Sequence, residues 1–358
     1  MLLHKWNIRQ QKRLAFALMG VLAVIIVCLA LVWGRYAAAA NRVEATGYAM
    51  GSYVQQTVYG SGAQEAADTA LQEVTALENR ISWRVEGSDI ARLNDEAGSE
   101  WVDIDPQTAS LLEMCLQVAE ASGGMFDPTI LPVSTLWKFD QPEEFSPPSQ
   151  STLDQFLPYV NWEDLRVDTE ENRASLKYHY MGIDLGSVGK GAGCDAVAAA
   201  YQEAGVSGIV SVGGSVGMYG QKPDGSLWSV AVRNPFSQED GQATMGTLAL
   251  QEGFLSTSGS YEKQAAADGV TYHHLLNPKT GMPENNELVS VTVYTKESGA
   301  LSDALSTAAF LLGAEEGAAL LEKFGAEGLF LFQDRSYFVT DGLSSAFTLE
   351  LASFHEAA

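Results

Sequence analysis

The sequence predicts a mixed α/β (α+β) fold, one domain over residues 46–352, behind a single apolar N-terminal helix. Three observations predict it. After residue 45, hydrophobic periods of about 2 and about 3.6 residues interleave along the chain, with no internal repeat to divide it. A glycine-rich stretch, Gly182 to Gly193, joins a strand-like run to a helix-like one. Residues 14–34 carry no charged side chain.

Lys5, Arg9, Lys12 and Arg13 precede that uncharged run. At about 1.5 Å per residue, it is long enough for a bilayer core of about 30 Å. The basic flank keeps residues 1–13 in the cytoplasm, makes 14–34 a transmembrane anchor and 35–45 a linker, and places the rest outside the cytoplasmic membrane. A cleaved signal sequence is the alternative, since Ala37 to Ala40 are small. Its apolar core is usually about 7–15 residues, however, and Arg35 and Tyr36 intervene.

Glu44 to Tyr59 reads as strand, interrupted at Met50-Gly51-Ser52. Gln64 to Ile81 reads as a helix with Ala67, Leu71, Val74, Leu77 and Ile81 on one face. Asp105-Pro106 opens a second helix, to Ala121. Residues 138–158 hold four prolines and read as a surface excursion. Leu176 to Asp184 reads as a strand, Ala196 to Ala204 as a helix, and Gly208 to Gly214 as a strand closing a βαβ-like unit. Further strands are expected at Leu227–Val232, within Thr247–Ser258, and at Leu288–Tyr294. Helices at Ser302–Leu312 and Glu315–Phe324 and a hairpin, Gly328–Phe332 with Ser336–Thr340, complete the chain.

The formal net charge is −24, and beyond residue 40 stand 16 basic and 45 acidic side chains. Such a surface repels nucleic-acid phosphates, so no nucleic-acid partner is expected. A phosphate-bearing ligand would need local compensation from lysine, backbone N–H groups or a metal. Three cysteines without a C-x-x-C or Cys/His cluster argue against zinc; Cys115 and Cys194 read as buried thiols, with a disulfide between them as the alternative.

Three segments can carry chemistry. In the glycine-rich stretch the backbone can approach a ligand closely, Lys190 offers a point charge for phosphate, and Asp184 can accept hydrogen bonds or help organise a cation. The spacing is neither a dinucleotide fingerprint nor a P-loop. Asp303 and Thr307 stand at i and i+4, putting a carboxylate and a hydroxyl on one helix face, hard oxygen donors of the kind Mg²⁺ takes. An Asp there can equally be a cap or dipole partner. His274, beside a Gly/Pro turn, can be a general base or a hydrogen-bonded structural histidine. Met50, Trp83 and Phe126 could line a slot for an aromatic ligand or be ordinary core.

In order, Met50-Gly51-Ser52, Ser82-Trp83 with Leu93-Asn94, Phe126-Asp127-Pro128-Thr129, Asp184-Leu185-Gly186 through Lys190-Gly191, Ser211-Val212-Gly213-Gly214, Thr257-Ser258-Gly259, His274-Leu275-Leu276-Asn277-Pro278 with Thr280-Gly281, and Asp303 with Ser306-Thr307 resemble the FAD:protein FMN transferase (ApbE) family. The resemblance spans about residues 46 to 345. It implies an ApbE-like flavin-transferase domain that uses Mg²⁺, takes FAD as substrate, and attaches FMN through a phosphoester bond to a Ser/Thr of a partner protein, releasing AMP. It implies FAD contacts at Met50, Trp83, Met125, Phe126, Asp127, Asp184, Lys190 and Leu276. Mg²⁺ would be held by Asp303, Thr307 and the backbone carbonyl of Ser187, and His274 would be the base. Asn277 stands where the family commonly has aspartate, Ser52 where threonine is usual, Ser187 where glycine is common and Gly189 where alanine is common. An FAD pyrophosphatase and a non-catalytic flavin-binding protein are the competing readings.

Overall fold

The structure is a computed structural model that describes residues 8–357. Lys5 and the rest of residues 1–7, part of the expected cytoplasmic segment, lie outside the described residues. Ile8–Ala40 forms one helix, and its side chains from Phe16 to Leu31, among them Leu22 and Ile26, are exposed. No helix among the described residues is long and apolar enough to cross a membrane, so the expected anchor over 14–34 is not supported here.

A nine-stranded sheet carries the domain. Its spatial order is Arg42–Ala49, Ser52–Tyr59, Ser207–Val212, Ser215–Tyr219, Gly253–Gly259, Leu288–Thr295, Glu327–Phe332, Ser336–Val339 and His355–Glu356. Every pair is antiparallel except the last. The first two strands form the hairpin whose interruption the sequence marks. Met50 (φ 55°) and Gly51 (φ 64°) are both left-handed, as a two-residue hairpin turn that matches strand twist requires.

One face of the sheet is covered by the helices Ala63–Ile81, Gly189–Ala204 and Gly299–Leu312. The expected stripe of the first is buried at Ala67, Val74, Leu77 and Ile81. Part of the other face meets a three-stranded sheet, Trp228–Arg233, Thr244–Leu250 and Phe347–Leu349, through Met218, Leu255, Leu329 and Leu331. Cys115 and Cys194 are buried free thiols.

Two expectations are corrected. The run Leu176–Asp184 is not one strand. Arg173–Leu176 ends as a strand in a separate small sheet with Leu165–Asp168 and Val102–Asp103, and Tyr178–Met181 turns before Gly182 bridges Ile130. Ser207–Val212 lies in the large sheet, antiparallel to Ser52–Tyr59, so no βαβ unit exists here. The 138–158 segment is not a mere surface excursion. Trp137, fully buried, stacks on Phe139 at 5.6 Å and packs with Phe145 and Tyr272, and its indole N–H donates to the Gly281 carbonyl at 2.8 Å. Aromatic burial plus a satisfied N–H outweighs the prolines.

Candidate active site

The site starts from two glycines. The helix expected from Ala196 begins at Gly189, inside the glycine-rich stretch, which places Lys190 in its first turn. It crosses the Gly299–Leu312 helix backbone to backbone. A Cβ on Gly191 would fall 2.0 Å from the Gly299 carbonyl oxygen, and one on Gly299 would fall 2.3 Å from that of Gly191. No side chain fits at either point, so glycine here serves helix packing first. Asp195, one turn on, caps the second helix by accepting from Gly299 N–H (2.6 Å) and Ala300 N–H (3.0 Å). Burial raises the Asp195 carboxyl to about 6 against those two hydrogen bonds.

This crossing sets Asp303 beside the Gly189 helix. Its Oδ2 accepts from Gly191 N–H at 2.5 Å and its Oδ1 from Ser215 Oγ at 2.7 Å. Burial pushes its carboxyl up, and the charge of Lys190 opposes that. Thr307 lies one turn further, its hydroxyl 3.2 Å from Ser258 Oγ. The Lys190 ammonium donates to the Gly213 carbonyl at 3.3 Å.

Around these groups opens a cleft of about 380 Å³, within the usual range for a small-molecule site. Eleven of the twelve expected site positions line it, from five segments of the chain: Trp83; Met125, Phe126 and Asp127; Asp184, Ser187 and Lys190; His274 and Leu276; Asp303 and Thr307. Met50 stands outside the lining, its N–H donating to Glu78 at 2.8 Å. Asp127 is fully engaged by its surroundings: Oδ1 accepts from Thr129 N–H and Oγ1 at 2.8 and 2.6 Å, and Oδ2 from Trp162 N–H at 3.0 Å. Burial nonetheless raises it to about 6. Asp184 accepts from Gly186 N–H (2.9 Å) and Ser134 Oγ (3.2 Å). Asn94 acts as a strand partner in miniature, bonding both backbone groups of Ile183 at 2.7 and 3.0 Å and holding the approach to Asp184.

His274 is held by its backbone N–H, which donates to the Lys263 carbonyl at 3.2 Å, while ring Nδ1 is buried with no hydrogen-bond partner. Burial, then the charges of Lys263 and Lys190, lower its pKa to about 3, so the ring is neutral near pH 7. An unpaired buried ring nitrogen is uncommon in a native protein and makes His274 a candidate for a functional role. Asn277 lies apart from this: its carboxamide accepts from Lys279 N–H at 2.9 Å and donates to Glu284 at 2.7 Å, so the charge missing there shapes a turn and not the cleft.

The cleft also contains residues the sequence reading did not single out. Glu262 and Lys263 follow the Gly253–Gly259 strand, and Lys138, Phe139, Asp140 and Gln141 come from the proline-bearing segment. Arg84 and Asp140 form an ion pair at 2.9 Å, both side chains about half exposed. Two adjacent charged residues shortly after a Ser/Thr/Gly strand end were the available signal for Glu262 and Lys263; Phe139 and Phe145 among prolines were the signal for the other segment.

The donor set suits a hard cation. Asp303, Thr307 and Ser187, which all line the cleft, carry a carboxylate, a hydroxyl and a backbone carbonyl. The described residues hold no group of three or more His, Cys, Asp or Glu for a metal, so a cation here would complete its shell with water and ligand oxygens.

Fold and cleft together define a mixed α/β protein with a cleft lined by a lysine, a buried carboxylate and aromatic side chains. The chain belongs to the ApbE family, whose model matches residues 50–330. A FAD:protein FMN transferase of Treponema pallidum is 29% identical over 345 residues, which is 90% of this chain and 93% of that one. One of Vibrio cholerae is 30% identical over 294 residues, covering 79% and 85%. Among solved structures, the ApbE protein of Thermotoga maritima superposes with a TM-score of 0.79 at 27% identity, covering 86% of this chain and 99% of its own. The flavin transferase ApbE of Vibrio cholerae does so with 0.76 at 25% identity and the same coverage. The mixed α/β fold is the one these proteins share.

Proposed function

We propose that this chain is a FAD:protein FMN transferase, an enzyme that moves FMN from FAD to a Ser or Thr hydroxyl of a partner protein and releases AMP. The names of its relatives support the activity. The observation that carries it is the convergence of Lys190, Asp303, Thr307 and an unpartnered His274 on one cleft with apolar side chains on another wall.

In this reading Trp83, Met125, Phe126 and Leu276 flank the flavin, with Met50 supporting them from behind. Asp127 and Asp184 hold the backbone that shapes the slot, and Lys190 meets the pyrophosphate. The hydroxyl oxygen of the acceptor bonds to the FMN phosphorus as the bond from that phosphorus to the bridging oxygen breaks. AMP leaves with that oxygen, and the hydroxyl proton passes to the neutral ring of His274. Mg²⁺, bound by Asp303, Thr307 and the Ser187 carbonyl, would supply charge neutralisation for the pyrophosphate.

The full chain in detergent, given FAD, Mg²⁺ and candidate acceptors, is expected to produce AMP and an acceptor heavier by one FMN. AMP with only free FMN would indicate a pyrophosphatase, and intact FAD a binding protein. His274→Ala is expected to keep FAD binding and to lose about 10²–10⁴-fold in transfer rate. Transfer at the wild-type rate would remove His274 from the mechanism.

The pH dependence has a definite sign. The free enzyme holds His274 neutral down to about pH 3. Bound pyrophosphate is anionic and raises that pKa in the complex. The His274 inflection is therefore expected below pH 5 in kcat/KM and at higher pH in kcat. Matching inflections near 6.5 in both profiles would contradict it.

The uncharged run 14–34 behind four basic residues supports a single-pass anchor in the cytoplasmic membrane, with the transferase domain outside. Protease accessibility of the domain in intact spheroplasts tests that placement.

A further inference from the structure

A second groove, of about 690 Å³, adjoins the cleft on the sheet face away from the three helices. Its floor is made by outward-facing side chains of the first three strands, Thr46, Gln55, Thr57 and Ser211. Its wall is the strand Trp228–Arg233, with Ser229 and Ala231 exposed towards solvent. That strand is the edge of its sheet, and an edge strand presents backbone N–H and C=O groups with no ladder partner.

The groove meets the cleft at two shared residues, Thr257 and Glu262. Gly213, in the groove lining, takes the Lys190 ammonium on its carbonyl. The groove therefore ends where Lys190, and through it the pyrophosphate, is placed. A transferase must admit a second substrate while FAD fills the first cleft, and this groove reaches the same point.

We infer that this groove binds the acceptor: an extended segment of the partner protein that lies along the Trp228–Arg233 edge and delivers its Ser or Thr hydroxyl at Thr257 and Glu262. The inference rests on the transferase reading. Extended chain fits because the groove runs beside a sheet edge and mixes polar positions, Thr46, Gln55, Thr57 and Ser211, with apolar ones, Ile209, Val216 and Leu255, as alternating side chains of a strand require. Main-chain hydrogen bonds to the edge strand would fix its register.

The test uses Gln55→Trp and Ala231→Trp, both at exposed strand positions where tryptophan is well tolerated. The probe is a pooled library of unstructured peptides, each with one threonine, incubated with full-length protein, FAD and Mg²⁺, and read by mass for added FMN. Wild type is expected to label a subset of peptides. Each variant is expected to bind FAD as wild type does, by flavin fluorescence, and to label at least tenfold less through a raised KM for peptide. Variants that label as wild type does overturn the groove, as do variants that lose FAD binding in parallel with labelling. A wild-type protein that releases AMP from FAD but labels nothing overturns instead the transferase reading on which the groove's occupant depends.

Discussion

Asp303→Asn is expected to abolish Mg²⁺-dependent turnover while leaving the fold intact. The carboxylate is buried, and its two oxygens accept from Gly191 N–H and Ser215 Oγ. Asparagine can reproduce that pattern. Its carbonyl oxygen faces the Gly191 N–H, and its NH₂ donates to the Ser215 hydroxyl, which rotates to accept. What disappears is the negative charge. Burial already opposes that charge, so removing it costs the fold nothing in desolvation, and the melting temperature is expected to stay level or rise. Charge stabilisation by a bound cation is worth several kcal/mol, and about 3 kcal/mol is about 10²-fold in rate. Turnover at least that much slower, with Mg²⁺ no longer shifting the melting temperature, is the expected result. Unchanged turnover with an unchanged Mg²⁺ response would show that Asp303 holds no metal.

Gly191→Ala is expected to do the opposite, damaging the fold first. The added methyl would lie 2.0 Å from the Gly299 carbonyl oxygen and 2.9 Å from Ala300 N. Both are backbone atoms of a buried helix and cannot rotate aside. Overpacking a core typically costs about 1–3 kcal/mol, and a rigid neighbour puts this case at about 3 kcal/mol or more. For a domain of this size that is a drop of roughly 5–10 °C in melting temperature. The helices must separate to relieve the clash, which also pulls Gly191 N–H from Asp303, so FAD binding is expected to weaken too. A stable Gly191→Ala protein with native melting would mean that the two helices do not cross this closely.

Much of the fold and the site was legible in the residues. The Ala63–Ile81 helix shows its buried stripe in sequence, and Met50-Gly51-Ser52 marks a break in strand that the structure resolves as a hairpin turn. Lys190 with Asp303 could be paired because both types suit a diphosphate and a cation. The glycines around them were harder. In sequence a Gly-rich run suggests a turn, whereas Gly191 is helical and needed for a contact with Gly299, more than 100 residues away. The sheet order was not legible for a related reason. Ser207–Val212 pairs with Ser52–Tyr59, and no local period records a partner that distant. Trp137 likewise satisfies its N–H on Gly281, so a proline-bearing stretch that looked like loop became a wall of the cleft.

The Arg84–Asp140 pair joins two segments that both line the cleft, and about half of each side chain is in water. Exposed pairs of this kind are worth about 0–1 kcal/mol. Thermal motion undoes such a fastening readily, and dissolved salt loosens it further. The rim of the cleft between the Trp83 and Phe139 segments is thus tied by a contact whose strength falls as ionic strength rises.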